Sequence, residues 1–271
     1  MKKLKIYDAH IHIFSGEHAG DMARRAGHEN STAHLASEYD RLGIAGSVVM
    51  GNSPLTLEAH VYPDFMHYCI GLDTHTQWED DRKNAVDLVE QHLKRDACVG
   101  IKLYPGYSRH YIFDPMFSPV YELAGHYDKP VAVHTGETAF PHAHLEYCHP
   151  LTLDKAAASF PRVNFVMCHL GNPWIVDAAA VMSKNKNVAA DLSGILEGIS
   201  DMRVYFSEQE GYINHIKTWL AYMNAYDRLM FGTDWPLANI ENYINFVSHI
   251  IPEKHHEKVF SANAMRIYGL E

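Results

Sequence analysis

Short apolar runs that are rich in β-branched residues recur eight times along the chain, and this pattern predicts eight strands. Several of the runs are apolar at nearly every position, which indicates strands buried on both faces, as in a parallel sheet covered by helices. The predicted strands span residues 5–13, 44–51, 66–74, 99–104, 131–135, 164–170, 188–193 and 229–233.

The segments between these strands carry apolar residues three and four positions apart, which predicts amphipathic helices. Leu35, Tyr39 and Leu42, for example, share one helical face. The predicted helices span residues 31–42, 78–95, 115–127, 151–159, 173–184, 209–225 and 241–251, and one or two short helices follow within 253–268. Two connections, 52–65 and 194–208, have little helical pattern, and we expect them to form substrate loops on the carboxyl face of the sheet.

Eight strands that are each followed by a helix, in a chain of 271 residues, predict a single-domain (β/α)8 barrel over residues 1–271. A doubly wound open sheet is the alternative fold, but its first strand–helix turn is ordinarily rich in glycine. In this chain the first strand closes with the sequence DAHIHI at 8–13. The barrel is therefore the prediction.

Composition and charge indicate which kinds of molecule the protein binds. The net charge of −10, without a cluster of lysine and arginine, argues against nucleic acid or an anionic membrane as the main partner. No apolar run approaches the roughly 18 residues of a membrane span, and the first residues run directly into a strand, which predicts a cytoplasmic protein. The four cysteines show no paired spacing, so we expect reduced thiols. We therefore expect the main partner to be a small-molecule substrate. Assembly into a homo-oligomer is left open.

Polar side chains stand out where the predicted strands end. Charged or imidazole groups within apolar strands are costly unless they are paired or bind a metal. In a barrel the carboxyl ends of all strands meet on one rim. The residues placed in this way are His10, His12, Lys102, His134, His169 and Asp234. Because side chains two positions apart on a strand share a face, His10 and His12 are expected to project together toward one metal ion.

Six segments, in this order along the chain, carry a resemblance to a known family. They are DAHIHI at 8–13, GIKLYP at 100–105, VHTG at 133–136, CHLGNP at 168–173, FGTDWP at 231–236 and SANAMRIYGL at 261–270. Together they resemble the amidohydrolase superfamily, and more narrowly its amidohydrolase-2 branch. That branch includes aminocarboxymuconate-semialdehyde decarboxylase, related benzoate and resorcylate decarboxylases, and small-acid lactonases and hydratases.

The resemblance implies a metal centre. It makes His10, His12, His134 and Asp234 the ligands of one divalent ion, with Asp234 also acting as general base. It makes His169 an acid or a hydrogen-bond donor to the developing oxyanion. Three neutral imidazoles and a carboxylate suit zinc, although other divalent metals stay open. Such an ion can acidify a water molecule and polarise a carbonyl group.

Lys102 has two interpretations under this resemblance. In some superfamily members the corresponding lysine is carboxylated and bridges two ions, which would make Lys102 and His169 ligands as well. In many amidohydrolase-2 proteins it remains an amine that can bind a substrate carboxylate. We favour the second interpretation, with one ion.

Substrate contacts are expected from residues that flank the ligands. Tyr104 stands where relatives often have histidine, two residues after the lysine. Arg109 suits recognition of a carboxylate, although a solvated loop cation is an equal alternative. Glu137 and Trp235 lie next to predicted ligands and are candidates to shape the pocket.

The predicted function is a metal-dependent hydrolase that acts on a small carbonyl substrate such as an amide, a lactone or a cyclic amide. The alternative is a zinc-dependent non-oxidative decarboxylase of a small unsaturated or aromatic acid. Decarboxylases of this kind often hold more positive charge near the metal, and here only Lys102 and Arg109 are candidates for it. The third hypothesis is a barrel that binds zinc without catalysis.

Overall fold

A computed structural model describes residues 5–72, 78 and 81–270 of the chain. Eight parallel strands pair in sequence order from the first to the eighth, which confirms the predicted barrel. They are β1 (Ile6–Ile11), β2 (Ile44–Met50), β3 (Met66–Leu72), β4 (Cys98–Leu103), β5 (Val131–Val133), β6 (Phe165–Met167), β7 (Val188–Asp191) and β8 (Leu229–Met230). The predicted end of the third strand at 73–74 lies outside the described residues.

Helices alternate with these strands. They are α1 (Glu17–Arg25), α2 (Thr32–Leu42), α3 (Arg82–Leu93), α4 (Pro105–Ser108), α5 (Ser118–Tyr127), α6 (Pro150–Ser159), α7 (Ile175–Lys184), α8 (Met202–Glu208), α9 (Glu210–Met223), α10 (Ile240–Ile250) and α11 (Asn263–Tyr268). The predicted helical residues 79–80 lie outside the described residues. Among those that are described, no helix is both long and apolar enough to cross a membrane.

Three helices were missed by the sequence analysis: the single turn α4, and the longer α1 and α8. Helix α1 buries only Ala19 and Ala23, and α8 buries none of its residues. Helices that contribute so little apolar surface leave a weak periodic signal, because the signal comes from the buried face. The expectation of an irregular segment over 194–208 was therefore wrong in its second half, where α8 forms.

The strands are shorter than predicted at their carboxyl ends. His169 and Asp234 adopt positive φ angles of 61° and 58°, which an extended strand cannot contain. His12, His134, His169 and Asp234 therefore lie on the turns just beyond their strands, whereas His10 and Lys102 lie within β1 and β4. These turns form the upper rim of the barrel, where barrel enzymes place their active sites.

The lower end of the barrel is closed by the carboxyl-terminal segment. Tyr268 and Leu270 pack with the small inward-facing residues Ala9, Ala132 and Ala189 in one buried cluster. All four cysteines are buried and free, as the sequence predicts. With the floor filled by side chains, the polar groups inside the barrel can open toward solvent only at the upper rim.

A buried histidine cluster holds the connection between β2 and β3 against the barrel. His60 Nε2 donates to the Pro54 carbonyl at 3.0 Å, and His92 Nε2 donates to the Leu55 carbonyl at 2.9 Å. The two rings lie 5.0 Å apart. Burial lowers the pKa of His60 to about 4, so this ring is neutral in the folded chain near pH 7.

This cluster predicts acid sensitivity. The unfolded chain binds a proton on His60 near pH 6.5, whereas the folded chain resists it until about pH 4, so acidification favours unfolding between these values. We expect the free energy of unfolding of the metal-free protein to fall less steeply from pH 7 to 4.5 in His60→Gln than in the wild type. Denaturant titrations measure it. The matched control is His142→Gln, at an exposed histidine, which should follow the wild type. Identical slopes in all three proteins would contradict the prediction.

Candidate metal centre

The seam between β8 and β1 brings three polar side chains to one point on the upper rim. His10 Nε2 lies 3.4 Å from Asp234 Oδ1, and His12 Nε2 lies 3.3 Å from the same oxygen. The three atoms lie within 4.8 Å of one another, close enough to surround a single ion. The β1–β2 register shifts between Asp8 and Ile11, and an irregularity of this kind re-aims side chains next to many active sites.

The hydrogen bonds of both histidines fix which ring nitrogen is available. His10 Nδ1 lies 2.9 Å from the Asp191 carboxylate, and His12 Nδ1 lies 3.1 Å from the Met50 carbonyl. A carboxylate and a carbonyl only accept hydrogen bonds, so each Nδ1 carries the proton and each Nε2 carries a lone pair. The two lone pairs therefore face Asp234 Oδ1, which is itself an acceptor.

Three acceptors that face one another need a cation between them. Within the described part of the chain, His10 Nε2 and Asp234 Oδ1 are buried and have no hydrogen-bond partner. Buried polar atoms are ordinarily satisfied, so two such atoms at one point indicate a missing ligand. Two imidazoles and a carboxylate are a donor set that suits zinc or a related divalent ion. The residues present fit the metal that the resemblance implies.

The charge states at this point agree with metal binding. Burial lowers the pKa of His10 to about 4, which leaves the imidazole neutral, as a metal ligand must be. Burial alone would raise the pKa of Asp234. The electrostatic effects of the neighbouring His12, His10 and His169 outweigh burial and hold this pKa far below its usual range. Asp234 is therefore ionised.

Asp191, at the end of β7, is a site residue that the sequence analysis missed. It is fully buried, and besides His10 it accepts hydrogen bonds from the His169 backbone N–H at 3.0 Å and from the Ser193 hydroxyl at 2.5 Å. A carboxylate bonded to the far nitrogen of a metal-binding histidine fixes the tautomer and orientation of that ring. The signal was present, since Asp191 is a charged residue in an otherwise apolar strand.

His169 and His134 continue the row of imidazoles away from His10. The His169 ring lies 4.9 Å from the His10 ring, and its Nδ1 lies 2.9 Å from the Ser193 hydroxyl. His134 Nδ1 lies 3.1 Å from His169 Nε2, and His134 Nε2 lies 2.9 Å from the Glu137 carbonyl. The structure thus places His134 against His169, outside the group of three converging atoms. Its role as a ligand stays a prediction.

Lys102 is directed into the barrel. Its side chain is fully buried, Nζ donates to Cys168 Sγ at 2.8 Å, and the same atom lies 5.1 Å from the centre of the Tyr104 ring. For Lys102 to bridge two ions, or to reach a substrate carboxylate, its amine would have to leave this thiol.

The four predicted substrate residues occupy different environments. Tyr104 is buried, and its hydroxyl donates to the Gly51 carbonyl at 3.2 Å. Trp235 is buried, with its ring 4.9 Å from that of His28. The exposed Arg109 donates to a loop carbonyl at 3.1 Å, and Glu137 is also exposed. Their contacts with substrate stay predictions.

An open cavity of about 570 Å³ lies beside the centre, between the end of β1 and helix α1. Phe14 lines the cavity, and its ring stacks on the ring of the candidate ligand His12 at 4.8 Å. Arg24, His28 and Asn30 are among its other lining residues. The sequence analysis did not single out this region, because its residues lie on a helix and a loop without a strong pattern.

Comparisons with known proteins agree with this architecture. The model of the Amidohydro_2 family, described as amidohydrolase, matches residues 7–270. A search against curated proteins found no match.

Among solved structures, an uncharacterized TIM-barrel protein from Bordetella bronchiseptica is 21% identical, with a TM-score of 0.74 over 98% of this chain and 99% of the other. The 5-carboxyvanillate decarboxylase of Sphingomonas paucimobilis is 13% identical, with a TM-score of 0.66 over 99% and 100%. A probable 2-pyrone-4,6-dicarboxylic acid hydrolase from Acinetobacter baumannii, with citric acid bound, is 16% identical, with a TM-score of 0.63 over 98% and 99%. At these identities the likeness shows the fold.

The convergence at Asp234 predicts the metal content of variants. We expect about one zinc per chain in protein purified without chelators, as measured by elemental mass spectrometry. His10→Ala removes one of the three converging donors and should retain little zinc. The matched control His142→Ala, which removes an exposed histidine, should keep the wild-type amount. Full zinc in His10→Ala would remove His10 from the ligand set.

Proposed function

The chain belongs to the amidohydrolase family, and from that premise we propose that it is a metal-dependent hydrolase of a small carbonyl compound. The substrate is an amide, a lactone or a cyclic amide. The observation that carries the proposal is the convergence of His10 Nε2 and His12 Nε2 on Asp234 Oδ1. When bound there, a divalent ion such as zinc supplies Lewis-acid polarisation of a carbonyl group and acidification of a water molecule.

Asp234 is the group that moves the proton. Its Oδ1 faces the two histidines, so Oδ2 is the oxygen that accepts a proton from the attacking water and passes it to the leaving group. The carboxylate is ionised, as a general base requires.

His169 stands next to this carboxylate. Burial lowers its pKa, so near pH 7 it is a neutral imidazole with a single N–H. We assign this N–H, on the Nδ1 that faces Ser193, as the hydrogen-bond donor to the substrate oxygen.

Gly194 lets these two groups approach each other. A Cβ at this position would lie 2.7 Å from His169 Nδ1 and 3.1 Å from Asp234 Oδ2, and the φ of +64° also disfavours any other residue. A larger residue here would therefore displace both the proton acceptor and the hydrogen-bond donor.

Decarboxylation is the second candidate, because the similar solved structures include a decarboxylase as well as a probable hydrolase. A reaction that begins from a substrate carboxylate gains from positive charge beside it. The two candidates for that charge are engaged elsewhere, Lys102 with the Cys168 thiol and Arg109 with the His142 carbonyl. This placement supports hydrolysis over decarboxylation.

Two further parts of the proposal concern the setting. We place the enzyme in the cytoplasm, with one zinc per chain, and leave a homo-oligomer open.

A barrel that binds zinc without catalysis is the third candidate function. An ionised Asp234 beside a neutral His169, with glycine at position 194 where a Cβ would press on both, supports catalysis over this role.

The test is a substrate screen with zinc-loaded protein. Lactones are followed by acid release in a pH-stat, cyclic and linear amides by the appearance of a free amine, and hydroxybenzoates by CO2 release. We expect acid or amine release without CO2. CO2 release with proton uptake would replace the proposal by decarboxylation, and inertness across the panel would favour the binding role.

The substrate found in this screen then tests Asp234. Loss of a general base lowers rates by about 10² to 10⁴, so Asp234→Asn should show a loss of at least this size. The control is Asp40→Asn, which changes an exposed aspartate on α2 and should keep the wild-type rate. An unchanged rate in Asp234→Asn would remove it from the mechanism.

A further inference from the structure

The turn that carries Asp234 is held from both sides. Asp234 has a φ of 58°, a left-handed conformation that is unfavourable for a residue with a Cβ. A conformation of this kind persists only when neighbouring contacts impose it. The Asp234 N–H donates to the His10 carbonyl at 2.9 Å, and the residues before and after Asp234 are bonded as well.

Thr233 makes these flanking bonds. Its backbone N–H donates to Asp8 Oδ1 at 3.0 Å, and its hydroxyl donates to Asp8 Oδ2 at 2.7 Å. The same hydroxyl oxygen accepts the Trp235 N–H at 3.1 Å. The Thr233 side chain thus connects Trp235, which follows Asp234, to the Asp8 carboxylate.

Asp8 in turn connects this turn to β1 and α2. Its Oδ1 also accepts the His10 N–H, at 3.4 Å, and its Oδ2 accepts the Tyr39 hydroxyl at 3.0 Å. Asp8 is fully buried and lies where the β1–β2 register shifts. The Asp8 carboxylate therefore contacts the backbone of His10 and also Thr233, the residue before Asp234.

We propose that Asp8 is a positioning residue for the metal centre, and that it acts through the Thr233 hydroxyl to fix Asp234 Oδ1 against His10 and His12. Asp8 touches neither metal nor substrate in this role. It sets the distance between ligands that come from opposite ends of the chain and meet at the seam where the barrel closes. This inference rests on the proposed metal centre.

The test measures zinc affinity by competition with a chromophoric chelator, using the full-length protein. Removal of a group that orients a metal ligand typically weakens metal binding about 10- to 100-fold. Thr233→Val keeps the shape of the side chain and its backbone bond but removes both hydroxyl bonds, so we expect a loss of this size. Asp8→Asn, which replaces one acceptor oxygen by a donor amide, should show a similar loss. Thr233→Ser restores the hydroxyl and should restore the affinity.

A matched pair of tyrosine variants separates positioning from loss of stability. Tyr39→Phe removes the hydroxyl that donates to Asp8, and Tyr121→Phe removes an equally buried hydroxyl that donates to the Ile112 carbonyl. Both should lower the free energy of unfolding of the metal-free protein to a similar extent. Only Tyr39→Phe should weaken zinc binding and alter the visible spectrum of the cobalt-substituted protein, which reports ligand geometry.

Each outcome decides between the proposals. Wild-type affinity in Thr233→Val and Asp8→Asn would overturn the positioning role and leave the metal centre standing. Equal losses of affinity in Tyr39→Phe and Tyr121→Phe would overturn it too, because the effect would then follow stability. A wild-type protein that binds no zinc would overturn both the inference and the proposed function.

Discussion

The upper rim depends on one electrostatic constraint, which is that three hydrogen-bond acceptors, two of them buried, lie within 4.8 Å of one another. His10 Nε2 and His12 Nε2 point their lone pairs at an ionised Asp234 oxygen. Without a cation this arrangement is repulsive, and burial prevents water from relieving it. The protein forces both lone pairs toward this point, because Asp191 and the Met50 carbonyl each accept a hydrogen bond from the other ring nitrogen. The cation site is thus built by hydrogen bonds on the far side of each ring.

The backbone around the site follows from the same constraint. His10 and Asp234 come from opposite ends of the chain, and the barrel must close before they meet. The β1 register shift and the positive φ angles of His169 and Asp234 all lie at this rim and aim side chains inward. Strained residues of this kind are tolerated where the surrounding structure holds them. In this chain Tyr268 packs with small residues such as Ala9, Ala132 and Ala189 at the lower end of the barrel. At the upper end, the hydrogen bonds of Asp8 connect β1 to the turn after β8.

The sequence predicts the barrel and the clustering of polar residues on its rim, because both depend on periodicity and on the cost of burying charge. It does not predict which of these residues touch. His134 lies against His169 because the turn after β5 decides where its side chain points, whereas Lys102 lies within β4 and contacts Cys168 inside the barrel. Helix α1, and the cavity that it lines, escaped prediction because alanines supply its buried face. Asp191 was not predicted, although it is a charged residue at the end of an apolar strand, as Asp234 was expected to be. The family resemblance implies metal ligands, and Asp191 orients the ligand His10 without being one of them.

The contact between Lys102 and Cys168 bears on how many ions the site can hold. A bridging carboxylated lysine needs room for a carboxyl group on Nζ, and in this structure a thiol stands 2.8 Å from that atom. Burial raises the pKa of the Cys168 thiol, so it stays protonated and uncharged beside the amine. A carbamate here would also add a third negative group near ionised Asp191 and Asp234. These contacts favour one ion, and under the proposed mechanism the proton then moves through Asp234 itself. In that proposal one residue both completes the metal centre and performs the chemistry, and the structure fixes its position from both sides of the seam.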